Sequence, residues 1–400
     1  MIIRHLSLTN FRFFKRIELD FPSNLNIIVG ENAQGKTSIL EAVHLLSLLT
    51  SPIARQDRQM INFLSMEDEI PVSRLVAVVE KANKTHRIEV RLIIGGRETG
   101  SLRMRKEVII DGNKRKLMDS VGYFNSVIFL PQMMRIIEDG PDERRKYLDR
   151  TLSQALPSYV HALSTYNQGI TRRNALLKKI FEKKNNRDQL TFWDELIVEN
   201  GALIMHIRAN MVQALSAYMH TEHEKMTGGK EQITLSYLPS ICLAAGNLKQ
   251  TDFGITAAIN EEMTIDKIRN LFLTQLNKQQ DEDVRRGITT KGPHRDELRF
   301  VANNLDLGTY GSRGQIRTAV MALKLAEVSW LREQTGEIPV LLLDETLAEL
   351  DQQRRLDLLG MLEQNSQSIL TTTDLSLFDP GFIKKCRVWQ IHDGAIVERD

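Results

Sequence analysis

One eight-residue segment constrains the fold of this chain more than any other feature. It reads Gly30-Glu31-Asn32-Ala33-Gln34-Gly35-Lys36-Thr37 and matches the pattern G-x-x-x-x-G-K-[ST] at every fixed position. An apolar run at 26–29 precedes the segment, and apolar residues at helical spacing follow it from 39 to 49. A strand, a glycine-rich turn and a helix in this order predict an open α/β sheet with a phosphate-binding loop at its edge.

The residue types in this loop suit a nucleoside triphosphate. Gly30 and Gly35 allow backbone N–H groups to curl around phosphate oxygens, and the helix N-terminus adds the positive end of its dipole. We expect Lys36 to reach the β- and γ-phosphates and the Thr37 hydroxyl to coordinate Mg²⁺.

A second motif ends an apolar strand far along the chain. Residues 339–343 are uninterrupted apolar residues, followed by Asp344 and Glu345. Such a run is typical of a parallel strand covered on both faces, and its carboxyl end lies where ligands bind in open α/β sheets. We expect Asp344 to hold Mg²⁺ and Glu345 to polarise the attacking water.

Composition excludes several classes of protein. The 400 residues are 42% hydrophobic and 26% charged, and 53 Lys and Arg against 51 Asp and Glu give a net charge of +2. This balance excludes a histone-like packing protein, an acidic disordered tail and a collagen. The length allows about two or three domains.

Compartment and membrane contact are also constrained by the sequence. No apolar run approaches the roughly 18–20 residues of a membrane span, and the first residues carry no apolar segment typical of export. The two cysteines, Cys242 and Cys386, are too few for a disulfide framework. We therefore expect a cytoplasmic protein that does not enter membranes.

The pattern along the chain predicts three parts. Strand signals dominate up to about residue 117, with hairpin turns at Gly95-Gly96 and Asp111-Gly112. Pro141 marks the start of a long stretch with helical composition, interrupted by a strand-like segment at 233–238. Strands and helices alternate again from about residue 288. The predicted parts are 1–147, with the phosphate loop and an antiparallel β subdomain, 148–287 as a helical arm, and 288–400.

Other motifs bring a specific resemblance. Ser312-Arg313-Gly314-Gln315 is similar to the signature of ABC-type ATPases, and Ala348-Glu349-Leu350-Asp351 is similar to their D-loop. Together with the phosphate loop, further segments resemble the RecF family over essentially the whole chain. These segments are Asn10-Phe11-Arg12, Gly140-Pro141 with 144–149, 173–178 and Gly292-Pro293-His294-Arg295-Asp296.

The resemblance implies an α/β fold, namely an ABC-type ATPase head of mixed sheets with flanking helices, plus a short, mostly helical arm domain. It implies ATP and Mg²⁺ as cofactors and an ATP-dependent, head-to-head homodimer with weak, DNA-stimulated ATP hydrolysis. The implied partners are single- and double-stranded DNA, gap junctions, RecR, RecO and, indirectly, RecA. An ABC-type ATPase of a defence or transport system is the alternative function.

The resemblance also assigns site residues. The loop from Gly30 to Thr37 would bind ATP, and the partner subunit would cap it with Ser312, Gly314 and Gln315. Gln132 falls where a glutamine loop is expected, Asp351 belongs to the D-loop, and Thr371-Thr372-Thr373-Asp374 replaces the switch histidine of transporters. Arg12 would lie beside the nucleotide, with a surface ion pair as the alternative.

Locally organised charge offers candidate DNA contacts. Residues 166–187 carry seven basic residues and one acidic residue, and residues 101–117 carry six basic and two acidic residues. Binding to the phosphate backbone needs such local cations, although a solvated helical face is the alternative. The resemblance favours DNA, with Arg172, Arg173, Lys178 and Lys179 as contacts. For His294 there are two alternatives: it contacts a nucleotide or DNA, or it belongs to a turn.

Overall fold

The computed structural model describes residues 1–95, 103–183, 186–241, 264–363 and 367–399, which form two compact units. The first unit is Met1–Met133 with Leu331–Asp400, and the second is Met134–Trp330. The strands are β1 (Ile2–Phe11), β2 (Phe14–Asp20), β3 (Leu25–Val29), β4 (Val72–Lys81), β5 (Lys84–Gly95), β6 (Arg103–Ile110), β7 (Asn113–Arg115), β8 (Ser126–Phe129), β9 (Ile233–Leu238), β10 (Glu297–Ala302), β11 (Leu305–Asp306), β12 (Val340–Asp344), β13 (Ser368–Thr372), β14 (Arg387–His392) and β15 (Ala395–Arg399). The helices are α1 (Lys36–Leu48), α2 (Arg135–Glu138), α3 (Pro141–Ala155), α4 (Pro157–Phe181), α5 (Leu190–Thr227), α6 (Ile265–Arg286), α7 (Leu307–Tyr310), α8 (Arg313–Thr335), α9 (Gln352–Glu363) and α10 (Pro380–Ile383).

An antiparallel sheet forms one layer of the first unit, with strand order β2-β1-β4-β5-β6-β7. Apolar residues alternate with polar ones in β2, so Ile17 and Leu19 are buried while Glu18 is exposed. The predicted turn at Asp111-Gly112 joins β6 to β7, and both of its residues have positive φ. The other predicted turn, at Gly95-Gly96, lies partly outside the described residues.

A second sheet carries the phosphate loop, with strand order β15-β14-β3-β13-β12-β8. The strands from β14 to β8 run parallel, and β15 pairs antiparallel with β14. Every residue of β12 is buried, because α1 packs on this sheet and one hydrophobic core joins it to the antiparallel layer. The register pairs Thr372 with Val29 and Thr371 with Asp344, which brings the carboxyl ends of β3, β12 and β13 to one edge.

Helices dominate the second unit. The helix α3 begins at Pro141, as the sequence predicts, and α4, α5 and α6 pack on one another. The predicted strand at 233–238 is β9, which pairs antiparallel with β10 in the three-stranded sheet β11-β10-β9. The predicted arm, 148–287, lies inside this unit, and residues 288–330 cluster with it. Within the described ranges no helix has the length and apolar character needed to cross a membrane.

Candidate functional site

The phosphate loop has the backbone shape that its sequence predicts. It leaves the end of β3, and α1 begins at Lys36 within the loop. Ala33 and Gly35 adopt left-handed conformations, with φ of 65° and 93°. Such turns point successive N–H groups into one concavity, which favours an anion at the helix N-terminus. A Cβ at residue 35 would lie 2.7 Å from the Phe14 ring, so both the conformation and the packing require glycine there.

Lys36 is buried under this loop. Its Nζ donates to the carbonyl oxygens of Gly30, at 2.7 Å, and Glu31, at 2.8 Å. The same Nζ lies 3.2 Å from Oε1 of Glu345. The ammonium group therefore lies between the loop and the acidic end of β12, where it can contact a phosphate held by the loop.

Two threonines hold the Asp344 carboxylate. The Thr37 hydroxyl lies 2.9 Å from each Asp344 oxygen. The Thr371 hydroxyl, on the adjacent strand, donates to Oδ1 of Asp344 at 2.7 Å and accepts from the backbone N–H of Glu345 at 3.2 Å. Thr371 therefore contacts both members of the acidic pair, a role that the sequence analysis missed because strand pairing creates it.

These oxygens fit a magnesium ion. Mg²⁺ prefers oxygen ligands and is usually held by one or two carboxylates together with phosphates and waters. Thr37 and Asp344 supply a hydroxyl and a carboxylate side by side. Burial raises the pKa of Asp344, although the hydrogen bonds from Thr371 and Thr37 act in the opposite direction and lower it. A cation beside the carboxylate would offset the energetic cost of keeping it ionised.

Glu345 has a constrained backbone. Its φ of 46° and ψ of 17° lie in the left-handed region, which costs about 1–3 kcal/mol for a residue with a side chain. The side chain is 38% exposed, so solvent reaches the carboxylate. A carboxylate that contacts water at the edge of a phosphate site can act as a general base.

The loop and the acidic pair line one cleft of about 350 Å³. The lining residues that the sequence predicted are Asn32, Ala33, Gln34, Gly35, Lys36, Thr37, Asp344 and Glu345. Ser38 and Phe13 complete the lining. Phe13 was not predicted, because an aromatic residue in a short turn carries no signal of its own.

Arg12 directly precedes Phe13 but is not among the residues that line the cleft. Its Nε donates to Oε2 of Glu41 at 2.7 Å, and its Nη2 donates to Oε1 of Glu41 at 2.6 Å. A third bond, at 2.9 Å, joins Nη1 to the carbonyl oxygen of Gln59. The ion-pair alternative from the sequence analysis thus describes the geometry of Arg12, although the partner, Glu41, is buried.

Gln132 and Asp351 also belong to the first unit. Gln132 is exposed in a short 3₁₀ turn after β8, and it does not line the cleft. Asp351 precedes α9, where its Oδ1 accepts from the backbone N–H of Arg354 at 3.0 Å. Asp351 therefore caps the helix.

The signature segment opens α8. The backbone N–H of Ser312 donates to Oε1 of Gln315 at 3.0 Å, and the N–H of Gln315 donates to the Ser312 hydroxyl at 3.3 Å. This reciprocal pair is a capping box. Gln315 also donates to Oε1 of Glu231 at 2.8 Å, and Gly314 is exposed. The segment is therefore an ordered, exposed helix N-terminus, which can interact with an anion.

Comparisons with known proteins identify the family. The sequence model of the RecF/RecN/SMC N terminal domain matches residues 2–393. A protein of Roseiflexus castenholzii named DNA replication and repair protein RecF is 35% identical, with 99% of each chain covered. The proteins of that name from Halalkalibacterium halodurans and Bacillus subtilis are 31% and 30% identical, and the full length of both chains is covered. The chain belongs to the RecF family.

Solved structures agree with this assignment. The recombination mediator protein RecF with ATP, of the RecFOR pathway, is 31% identical, with a TM-score of 0.85 over 100% of this chain and 97% of that chain. The Smc head domain of Pyrococcus furiosus is 16% identical with a TM-score of 0.50, which shows a shared fold. The predicted fold, an ABC-type head with a mostly helical insertion, is confirmed.

One of the DNA contacts expected from the RecF resemblance is wrong. Arg173 is fully buried between α4 and its neighbours, where it binds Oδ1 of Asp194 at 2.6 Å, Oδ2 of Asp283 at 2.7 Å and the Thr289 hydroxyl at 3.0 Å. A guanidinium group that is enclosed and paired with two carboxylates cannot reach a DNA backbone. Its role is to stabilise the packing of the helical unit.

The other basic residues of α4 are exposed. Arg172, Lys178 and Lys179 lie on the surface of this helix, and Lys184 of the same charge run lies outside the described residues. Arg172 also borders a cleft that contains Trp193. These three exposed side chains remain available to an anionic partner.

His294 belongs to a partly buried polar network of the helical unit. Its Nε2 lies 3.0 Å from the carbonyl oxygen of Thr289 and must donate, so Nδ1 accepts from the Tyr166 hydroxyl at 2.6 Å. Burial lowers the pKa of His294 to about 4, which keeps the ring neutral. Both ring nitrogens therefore form hydrogen bonds within the helical unit, and the backbone at Pro293–Arg295 forms a short 3₁₀ turn.

Proposed function

We propose that the chain is an ATP-dependent DNA-binding protein of recombinational repair and replication restart. The observation that carries the proposal is the assembly of Lys36, Thr37, Asp344 and Glu345 in one cleft beside a phosphate-binding helix N-terminus. RecF relatives named for DNA replication and repair, and a RecF structure with ATP, support ATP as the nucleotide and DNA as the partner.

The cleft residues divide the work of hydrolysis. The backbone N–H groups of the loop bind phosphate oxygens, and Lys36 turns from the Gly30 and Glu31 carbonyls to the β- and γ-phosphates. Thr37 and Asp344 would hold Mg²⁺, which would neutralise charge on the phosphates. Glu345 accepts a proton from the attacking water, and Thr371 keeps Glu345 and Asp344 in place.

The signature segment completes the site of a second subunit. Ser312, Gly314 and Gln315 cap the γ-phosphate that is bound by the partner's loop, so ATP closes a head-to-head homodimer. Asp351 and Gln132 lie near that closed interface. Hydrolysis is weak and DNA-stimulated, and it opens the dimer again.

The closed dimer binds DNA and recruits the loading proteins. Its substrates are single- and double-stranded DNA and the gap junctions between them, with Arg172, Lys178 and Lys179 as phosphate contacts. RecR and RecO bind the complex and load RecA onto the single strand.

Subunit complementation tests the shared site. The variants Lys36→Ala and Ser312→Arg should each be inactive alone as ATPases. Half of the dimers in an equal mixture pair the two variants, and each such dimer has one intact site. The mixture should therefore recover about a quarter of the wild-type rate. Two results together would contradict the shared site. The mixture would recover no ATPase activity, and a Glu345→Gln protein would stay monomeric in light scattering at every ATP concentration.

DNA binding has its own test. Each phosphate contact contributes about −0.9 to the slope of log affinity against log salt. Replacing both Lys178 and Lys179 by alanine should flatten that slope by about 2 on gapped DNA with ATP. The matched control is Lys225→Ala, an exposed lysine of α5 outside the charge run. Equal slopes for all three proteins remove these lysines from the DNA surface.

A further inference from the structure

The side-chain amide of Gln315, in the signature segment, is fixed at both ends. Its Oε1 accepts from the backbone N–H of Ser312 at 3.0 Å, and its Nε2 donates to Oε1 of Glu231 at 2.8 Å. A backbone N–H only donates and an ionised carboxylate only accepts, so turning the amide end for end would lose both hydrogen bonds. The amide is therefore held in one orientation.

Glu231 reaches the signature segment from a connection 84 positions earlier in the chain. This connection joins α5 to β9 and begins with Gly228 and Gly229, whose φ values are 63° and 74°. The N–H of Gln232 donates to Oδ1 of Asn303 at 3.0 Å, and the N–H of Asn303 donates to the carbonyl oxygen of Gln232 at 3.0 Å. The backbone next to Glu231 is therefore tied to the turn after β10, which keeps the carboxylate opposite the signature segment.

The Glu231 carboxylate also faces the end of α5. Its Oε2 lies 3.7 Å from Nε2 of His223, which is close enough for an electrostatic contact but too long for a hydrogen bond. The side chain of His223 is 1% exposed and that of Glu231 is 22% exposed, so the carboxylate lies largely out of water between α5 and the signature segment. Solvent weakens an interaction in such surroundings less than it weakens one on an open surface.

The negative charge of Glu231 limits how this residue can act on a nucleotide. Like charges repel, so a carboxylate disfavours a phosphate oxygen placed directly beside it. The Gln315 amide nitrogen, in contrast, carries two N–H groups, and the bond to Glu231 uses one of them and fixes the direction of the other. Any favourable effect of Glu231 on a bound phosphate therefore passes through Gln315.

We propose that Glu231 is a positioning residue of the signature segment, which holds the Gln315 amide so that its second N–H donates to the γ-phosphate on the partner's loop. This role rests on the proposed function, in which Gln315 caps that phosphate in a closed dimer. A donor that is aimed before the subunits meet needs no reorganisation when they do. Loss of Glu231 should therefore impair hydrolysis, which needs the closed dimer, and leave the binding of ATP to the subunit's own loop intact.

Separate measurements of kcat and of the ATP affinity of dilute, monomeric protein test this role. Glu231→Ala should bind ATP like the wild type, while its kcat falls on the order of tenfold. Glu231→Gln should retain most of the rate, because its amide oxygen can accept the same hydrogen bond from Gln315. The matched control is Glu224→Ala, which changes an exposed residue in the last turn of α5. Equal kcat values for Glu231→Ala and the control overturn the proposal, as does a Glu231→Gln protein that is no faster than Glu231→Ala.

Mixing of subunits distinguishes a positioning role from a folding defect. A dimer of Glu231→Ala with Lys36→Ala has one site with an intact loop and an intact signature, so an equal mixture should reach about a quarter of the wild-type rate. That rate exceeds the roughly one tenth expected of Glu231→Ala alone, although the added subunit is inactive. If the Lys36→Ala and Ser312→Arg pair recovers activity but this mixture does not exceed Glu231→Ala alone, the role of Glu231 is overturned. If neither mixture recovers, the shared site of the proposed function fails and the role of Glu231 fails with it.

Discussion

The buried guanidinium group of Arg173 leads to a quantitative stability prediction. Arg173 is 0% exposed and donates three hydrogen bonds, two of them to carboxylates that are also buried. Replacing it by methionine fills a similar volume, but it leaves Asp194 and Asp283 without their shared cation. We therefore expect Arg173→Met to destabilise the helical unit strongly.

The magnitude follows from the bonds that are lost. Hydrogen bonds that involve a charged group contribute about 1.5 kcal/mol or more each, so three of them amount to about 4.5 kcal/mol or more. Removing one partner of a buried ion pair costs about 3–5 kcal/mol by an independent route. The lower bound from the bonds lies within the range for the ion pair, so the free energy of unfolding should fall by about 4.5 kcal/mol.

Urea unfolding followed by tryptophan fluorescence measures this loss, because Trp193 lies directly beside Asp194 and packs on the core of the unit. Arg172→Met is the matched control, since that neighbour is exposed and should change stability by less than about 0.5 kcal/mol. Burial already raises the pKa of Asp194, and loss of the cation raises it further. The variant's deficit should therefore be larger at pH 8 than at pH 5, where protonation removes part of the buried charge.

Two results would refute this reasoning. One is a loss for Arg173→Met no larger than that for Arg172→Met. The other is a deficit that does not change between pH 5 and pH 8. A variant that combines Arg173→Met with Asp194→Asn and Asp283→Asn should recover part of the lost stability, because it removes the unpaired carboxylates.

Three further predictions concern single side chains. Thr371→Val should slow ATP hydrolysis about tenfold at nearly unchanged ATP affinity, and Thr371→Ser should restore the rate in steady-state assays, because the hydroxyl positions Asp344. Gly35→Ala should abolish ATP binding in calorimetry, since its Cβ would lie 2.7 Å from Phe14 and φ is 93°; normal binding contradicts the packing argument. Burial lowers the pKa of His294 to about 4, so the unfolded chain takes up its proton first as pH falls from about 6.5. The wild type should therefore lose about 3 kcal/mol between pH 7 and pH 4 that His294→Gln does not lose, and equal pH dependence in urea unfolding contradicts this.

The parts of the molecule that could be predicted depend on residues adjacent in sequence. The phosphate loop needs eight consecutive residues, and the acidic strand end needs a short apolar run followed by Asp344 and Glu345. Strand β12 is buried over its whole length, as an uninterrupted apolar run predicts. The family resemblance adds the order of these motifs, which is why the predicted fold is confirmed.

The parts that could not be predicted depend on distant partners. Arg172 and Arg173 are chemically identical neighbours in one charge run, and only Asp194 and Asp283, 21 and 110 positions away, make one of them buried. Arg12 likewise finds its partner on α1, and Thr371 reaches Asp344 through strand pairing. Charge counts along a sequence carry no information about such pairing.

The position of β3 in its sheet has a consequence for synthesis of the chain on the ribosome. The strand leading into the phosphate loop lies between β13 and β14, and Gln34 of the loop is bonded to Asp393, 359 positions further along. During translation the nascent loop therefore emerges long before the strands that flank it. Such non-local pairing forms slowly, and a growing chain can expose the apolar β3 meanwhile. The surroundings of the phosphate loop are therefore complete only after β13, β14 and Asp393 have been synthesised.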